Sequence, residues 1–413
     1  MKLAMFCWEF PPRIVGGMGS YISEIAPKIV SKGHDVTVFT FNYGKLKTHE
    51  LYKGVEVHRP EIIDMTDIFP SVVSEDIARW GSGTKFFSDV MTSNILSSAK
   101  LINQLVKLDN REFNLIVAHD WLSFIGGIIS KRELQLPLVT HYHSTEKGRS
   151  IGDGSKTIIE LETIGGKMAD KVITVSYAMI DDLAHIYVPK EKINVVYNGV
   201  DTHKYDPTAI PNDVAQVVRK RYKIKEDETM ILFVGRLVPM KGVDKLIYAM
   251  NHVNEKYPKA KLVIVGTSDN EQYYSSLISN LKLDGVVIPR FEFIGEEERI
   301  LHYAACDMAI FPSLYEPFGI VALEAMSMEK PVIVGARGIS GLREIVLPSG
   351  PNQCGVHVNP YDPADIAWGI GVLLDDITKS KKLGVNGRKR VIENFTWDKI
   401  VDDTIKVYKQ LVK

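Results

Sequence analysis

Glu316-Pro317-Phe318-Gly319-Ile320-Val321-Ala322-Leu323-Glu324 lies between two apolar runs, Met308–Phe311 and Val332–Val334. The order reads as strand, loop, helix, strand, and that βαβ unit decides the fold. The pattern predicts a helix that starts near Gly319 and continues to Met328. Glu316 then falls in the loop before the helix, and Glu324 about two turns away along it. A helix N-terminus presents unpaired amides and a partial positive charge, which suits a phosphate. A carboxylate ahead of it and another beside it suit the hydroxyls of a phosphate-linked polyol. The plainer alternative makes Glu324 a solvent-facing helix residue and Glu316 a turn carboxylate.

The same rhythm extends in both directions. Strands are predicted at Met230–Val234, Lys261–Val265 and Gly355–Val358, with helices at Lys241–Val253, Glu271–Leu281, Glu296–Ala304 and Pro363–Leu374. Towards the N-terminus, strands are predicted at Leu3–Cys7, Val36–Thr40, Leu115–Ala118, Leu138–His141, Val172–Val175 and Ile193–Val196, with a helix over Gly19–Ser31. Tyr52 to His58 adds a candidate strand. Two series of this kind imply an α/β chain with two Rossmann-like, mainly parallel sheets. A chain of 413 residues is also too long for one comfortable core. The expected division is 1–205 and 226–394, a Pro- and Asp-rich linker over 206–225, and a C-terminal helix over 395–413. That helix carries an apolar face of Trp397, Ile400, Val401, Ile405, Val407 and Tyr408.

Composition narrows the function. Hydrophobic residues at 45% and charged residues at 24% are ordinary for a globular chain. A formal net charge of -1 announces no nucleic-acid partner. No apolar stretch approaches the roughly 20 residues of a membrane span. The N-terminal apolar run breaks at Glu9-Phe10-Pro11-Pro12 and lacks a signal-peptide pattern, so a cytoplasmic location is expected. Cys7, Cys306 and Cys354 read as buried thiols and not as a disulfide or zinc framework.

Several loops after strands carry chemistry. Arg13-Ile14-Val15-Gly16-Gly17-Met18-Gly19 is either a structural turn or a loop whose amides approach an anion. Its spacing is neither the dinucleotide fingerprint nor a P-loop. Val234-Gly235-Arg236-Leu237-Val238-Pro239-Met240-Lys241-Gly242-Val243 offers a guanidinium fork and a mobile ammonium that suit a diphosphate without a metal; alternatively both cations face solvent. Gly266 ends the next strand, either as a turn or as a point where backbone passes a ligand. His119-Asp120-Trp121 and His141-Tyr142-His143 follow two first-domain strands. His141 and His143 are expected to point opposite ways if both lie in the strand, and no third histidine is expected to join them, so no metal site is predicted. Arg149 suits an anion, or holds its loop through Glu146.

Taken together, these segments resemble glycosyltransferase family 4, over nearly the whole chain. The resemblance implies a GT-B fold, two Rossmann-like domains facing across an interdomain cleft, with the last helix crossing back onto the first domain. It assigns Glu316 to the transferred sugar and Glu324 to the ribose of a nucleotide. Arg236 and Lys241 fall on the donor diphosphate, Gly17 on the donor phosphates, and Gly266 beside the nucleotide. Gly341 and Leu342, in Gly338-Ile339-Ser340-Gly341-Leu342, fall near the sugar and phosphates. His143 becomes the active-site histidine, His119 and Asp120 border the site, and Arg13 lines the acceptor side. The catalytic set is therefore His143, Arg236, Lys241 and Glu316.

The implied reaction is hexosyl transfer with retention, from an ADP-, UDP-, GDP- or dTDP-hexose to a hydroxyl acceptor, with no metal and no tightly bound cofactor. A glucosyl donor and an α-glucan acceptor, as in glycogen synthase, lead. Two departures weaken that narrower match: Ser144-Thr145 stands where bacterial glycogen synthases have His-Asn after the histidine, and Pro317-Phe318-Gly319 where they often have Pro-Cys-Gly. A small sugar, sugar phosphate or cell-envelope acceptor is the alternative, with an epimerase or a sugar-nucleotide sensor behind it. Residues 61–105 are candidates for acceptor contact or homo-oligomer formation.

Overall fold

Among the described residues, fourteen strands form where β-branched and aromatic residues run together, and most are buried on both faces because helices cover each sheet. The computed structural model describes residues 1–14, 16–71 and 73–412, so Val15 of the first glycine loop lies outside the described residues. The chain divides into two compact units: Met1–Tyr197 together with the chain from Trp397, and Asn198–Thr396.

The first unit contains β1 (Lys2–Phe6), β2 (Asp35–Phe39), β3 (His49–Tyr52), β4 (Val55–His58), β5 (Leu115–His119), β6 (Leu138–Tyr142), β7 (Lys171–Thr174) and β8 (Ile193–Val195). They form one sheet in the order β3-β4-β2-β1-β5-β6-β7-β8, parallel throughout except for the β3–β4 hairpin. The order reverses direction between β1 and β5. Loops leaving the carboxyl ends of those neighbours diverge and leave a crevice, the usual ligand position in an open parallel sheet.

The helix Trp397–Lys409 packs in this first unit. All six residues of its expected apolar face are buried. Burying each large apolar side chain contributes about 1.5–3 kcal/mol. Two polar contacts fix it further: Tyr408 meets His141 at 2.8 Å and Thr404 meets Tyr21 at 3.5 Å.

The second unit contains β9 (Thr229–Val234), β10 (Ala260–Val265), β11 (Val287–Arg290), β12 (Met308–Phe311), β13 (Val332–Gly335) and β14 (Gly355–Val358). Their order is β11-β10-β9-β12-β13-β14, all parallel, which is the doubly wound arrangement with its switch point between β9 and β12. The loops carrying Lys241 and Glu316 leave those two strands.

Residues 206–225, expected to be a linker, instead hold a short turn at Pro207–Ala209 and the helix Asn212–Arg221 within the second unit. Pro and Asp in this stretch serve as helix-start residues: the Asp206 side chain accepts from the Thr208 amide, and Pro211 is the cap of the helix. Arg219, 6% exposed, ties the helix down through the carbonyls of Ala305, Lys225 and Glu228 and the carboxylate of Asp307. Among the described residues, no helix is long and apolar enough to cross a membrane. Cys7, Cys306 and Cys354 are free and buried, and burial pushes the thiols of Cys7 and Cys306 up to about 12.

Candidate functional site

In the second unit the chemistry gathers at the switch point. β9 ends at Val234, and Pro239–Lys241 forms a tight turn closed by Gly242 at φ +66. A Cβ on Gly242 would lie 2.3 Å from the Pro312 carbonyl oxygen, so glycine lets this loop press against the one leaving β12. The Lys241 ammonium donates to Glu316 Oε2 at 2.6 Å. Ser313 donates to the same oxygen at 3.0 Å. Glu316 is nearly buried, and its Oε1 has no hydrogen bond among the described residues. Arg236, on the same loop as Lys241, is exposed, and among the described residues its guanidinium makes no hydrogen bond or ion pair, while its carbonyl accepts from the Val238 amide at 3.1 Å. The site thus holds one oriented carboxylate oxygen, one neutralised pair and one uncommitted guanidinium.

Glu324 differs. It sits on the helix Ile320–Ser327, 5% exposed, and both of its oxygens are engaged. Oε1 accepts from the Tyr205 hydroxyl and from Arg299, each at 3.0 Å. Oε2 accepts from the Tyr303 hydroxyl at 3.1 Å and pairs with Arg299 Nε at 3.0 Å. Burial pushes its carboxyl above the usual range, against the pull of Arg299. Three hydrogen bonds and one further ion-pair contact thus surround the carboxylate. Tyr205, Arg299, Tyr303 and Ser313 are neighbours of the two carboxylates that the sequence reading missed. One signal was available: Arg299 and Tyr303 stand four apart on the helix Glu296–Ala305 and so share a face.

The glycines prove more structural than expected. The Gly266 amide donates to the Arg290 carbonyl at 3.1 Å, and a Cβ there would lie 1.9 Å from the Gly235 carbonyl oxygen. Its φ of +155 is a region kept for glycine. Gly266→Ala is therefore expected to destabilise the second unit by about 1–3 kcal/mol from conformation alone, with the clash added. Thermal unfolding of the variant checks this, and an unchanged midpoint contradicts it. Gly341 likewise commits its amide to the Glu316 carbonyl at 2.8 Å, and a Cβ there would lie 2.4 Å from the Pro317 carbonyl oxygen. The Leu342 side chain is fully buried and packs where Gly319, at φ +108, has no Cβ.

In the first unit, Gly17 opens the helix Gly17–Ser31. The neighbouring Gly16 amide donates to Glu9 Oε2 at 3.0 Å, so a protein carboxylate already lies against the loop. Arg13 lies 3.8 Å above the Tyr43 ring.

The histidines depart from expectation. His119 and His141 face one another in register across β5 and β6, with ring centroids 4.4 Å apart. β6 ends at Tyr142, and His143 follows it two positions after His141; residues i and i+2 of an extended chain share a face, so the expectation that the two point opposite ways is corrected, and their ring centroids lie 6.2 Å apart. Its Nε2 meets His119 Nδ1 at 3.1 Å. The expectation that no third histidine joins His141 and His143 is therefore corrected: His119 completes a trio whose ring nitrogens lie within 4.8 Å of one another. Burial, then the neighbouring rings, hold His119 and His141 well below the usual imidazole range. His143 is lowered by burial, and Asp120 partly opposes this. Asp120 stands at the N-cap of the helix Trp121–Leu134, but its side chain bonds none of that helix's amides; its Oδ1 accepts from the His143 amide at 2.8 Å.

The loop after His143 is held from within. Arg149 donates to Ser144 at 2.6 Å, to Glu146 at 3.0 Å and to Glu162 at 3.3 Å. Both Glu162 oxygens accept from the Glu146 amide. Burial pushes the Glu162 carboxyl up to about 8 from its ordinary 4.5, although Arg149 pulls the other way. An acid raised in the folded state keeps its proton after the unfolded chain has lost it. Stability is therefore expected to fall as pH rises from 4.5 to about 8. Denaturant titrations across that window check it; Glu162→Gln flattens this part of the slope, and an unaltered slope contradicts the assignment.

Two open, mainly parallel sheets, each with polar loops at its switch point, define a two-domain α/β architecture. Comparison with known proteins identifies the class. The profile of Glycosyltransferase Family 4 matches residues 15–204, and that of Glycosyl transferases group 1 matches residues 215–390. The chain is 34% identical to an uncharacterized glycosyltransferase of Methanocaldococcus jannaschii, over 99% of this chain and 98% of that one. It is 28% identical to a glycogen synthase of Mycobacterium tuberculosis, over 99% and 94%. In structure it is similar to a sucrose-phosphate synthase from Thermosynechococcus elongatus, with a TM-score of 0.81 and 24% identity over 99% of this chain and 98% of that one. The chain belongs to the family 4 glycosyltransferases and has the GT-B fold.

Proposed function

We propose that this glycosyltransferase moves a hexosyl unit, glucosyl as the leading assignment, from a nucleotide sugar to a hydroxyl acceptor with retention at the anomeric carbon. The observation that carries the reading is the Lys241–Glu316 pair at the second unit's switch point, with Glu316 Oε1 open and Arg236 uncommitted. The second unit takes the donor, and the first takes the acceptor side. Arg236 and Lys241 stabilise the charge that grows on the departing nucleoside diphosphate. Glu316 Oε1 accepts from a sugar hydroxyl and sets the sugar's orientation. His143, kept neutral by burial, contacts the sugar as a hydrogen-bonding group and not as a base. Glu324 binds ribose by exchanging a tyrosine hydroxyl, Tyr205 or Tyr303, for a ribose hydroxyl, one O–H donor for another. Gly17, Gly266, Gly341 and Leu342 shape the donor loops; backbone packing accounts for Gly266 and Gly341.

In the reaction, the bond from the anomeric carbon to the phosphate oxygen breaks and a bond to the acceptor oxygen forms on the same face. The departing diphosphate oxygen takes the acceptor proton. Glucan as acceptor is supported by the mycobacterial glycogen synthase among the relatives. A sugar phosphate acceptor gains no support from Arg149, whose guanidinium is tied to Ser144, Glu146 and Glu162.

Calorimetric titration of UDP, ADP, GDP and dTDP into the full chain tests the donor site. One nucleoside diphosphate is expected to bind without added metal, and Arg236→Ala to weaken it by about 10- to 150-fold, the effect of losing one charge-assisted contact of about 1.5–3 kcal/mol. Equal affinity in wild type and variant would overturn the assignment of Arg236.

A further inference from the structure

His119 and His141 are not used by the sugar transfer proposed above, and with His143 they form a trio that offers a further chemistry. The in-register pairing of β5 and β6 puts His119 and His141 side by side on one face of the sheet. His143 adds a third ring over them, stacked on His119 at a centroid distance of 5.4 Å. Tyr21 borders all three rings, with centroids 4.9–5.9 Å away. One nitrogen of each histidine lies within 4.8 Å of the others.

Two features fit a metal ion. First, His119 Nδ1 and His143 Nε2 are 3.1 Å apart, close to the roughly 3.4 Å that separates two ligands of a tetrahedral zinc ion with Zn–N of about 2.1 Å. Second, the Tyr408 hydroxyl meets His141 Nε2 at 2.8 Å, the outer contact that fixes the tautomer of a ligating imidazole and leaves its other nitrogen to donate. The donors are all imidazole. The nearby carboxylate, Asp120, holds the His143 amide. Such a set selects zinc, copper or nickel over magnesium or calcium.

We propose that His119, His141 and His143 form a binding site for one divalent transition ion of the zinc class, three-coordinate from the protein with the fourth position open. The second cluster with ligand spacing, His49, Glu56 and His58, is a poorer site. Its Glu56 is gripped by Arg111 at 2.9 and 2.6 Å, so a fixed positive charge already occupies it.

The test uses the full chain with Co2+ and Zn2+ as probes, and does not depend on activity or on the donor reading. After chelation and dialysis, the expected result is one Zn2+ per chain by elemental analysis, and a visible tetrahedral Co2+ absorption band that Zn2+ displaces. His119→Gln and His141→Asn are each expected to weaken binding at least tenfold, whereas His49→Gln leaves stoichiometry and band unchanged. If the buried variants do not fold, the band in the intact chain and in His49→Gln decides alone. No band and no stoichiometric zinc, or binding lost with His49→Gln, overturns the proposal.

Discussion

Lys241→Ala is expected to lower kcat by about 100- to 1000-fold, the usual cost of removing one preorganised donor that meets developing charge. The ammonium does two things in this structure. It neutralises Glu316 at 2.6 Å, and on the proposed reading it faces the charge that appears as the diphosphate leaves. Only the second acts in the transition state alone. The account therefore predicts that kcat and kcat/KM fall together, with KM little changed. Stability should also drop, because Glu316 would be left nearly buried without its cation. Glu316→Gln added to Lys241→Ala should recover part of that stability and none of the rate. Steady-state kinetics with thermal unfolding separates these effects. A rise in KM at constant kcat would show that Lys241 serves ground-state binding only.

Arg299→Ala is expected to destabilise the second unit by about 3–5 kcal/mol, the range for removing one partner of a buried ion pair. Glu324 would keep its two tyrosine hydroxyls but lose both contacts to the guanidinium. For a unit of about 200 residues this corresponds to a fall in Tm of about 6–20 °C. The paired replacement Arg299→Met with Glu324→Leu should be less destabilised than Arg299→Ala alone, since no charge remains buried. Calorimetry on the three proteins checks the order. If the double variant is the least stable, the loss arises from packing and not from the stranded carboxylate.

Much of the architecture was legible because parallel strands buried on both faces read as continuous apolar runs. Met308–Phe311 and Gly355–Val358 match their expected limits, and most other strands shift by one residue at an end. β11 was missed because Pro289 and Arg290 break its apolar run. It is an edge strand, beside β10 alone, where a proline costs no central ladder bond. The helix Asn212–Arg221 was read as linker because Pro and Asp signal loops and helix starts alike.

At the site, Lys241 and Glu316 were singled out separately, but their contact depends on strand order, which no local pattern reports. β9 and β12 are neighbours although their last residues, Val234 and Phe311, lie 77 positions apart and two other strands come between them in sequence. The partners of Glu324 come from Tyr205, Arg299 and Tyr303, again joined by tertiary packing. The histidine trio escaped because His141 and His143 are expected above to point opposite ways, whereas residues two apart in an extended chain share a face, and because His119 joins them only through the pairing of β5 with β6.

The central claim is sugar transfer from a nucleotide donor to a hydroxyl acceptor. It is tested most directly by release of nucleoside diphosphate from ADP-, UDP-, GDP- and dTDP-sugars, each with no acceptor, with glucan and with small sugars, followed by product mass. The account predicts release that depends on acceptor and a product heavier by one hexosyl unit. Donor binding with neither release nor a heavier product, across the whole panel, would contradict it.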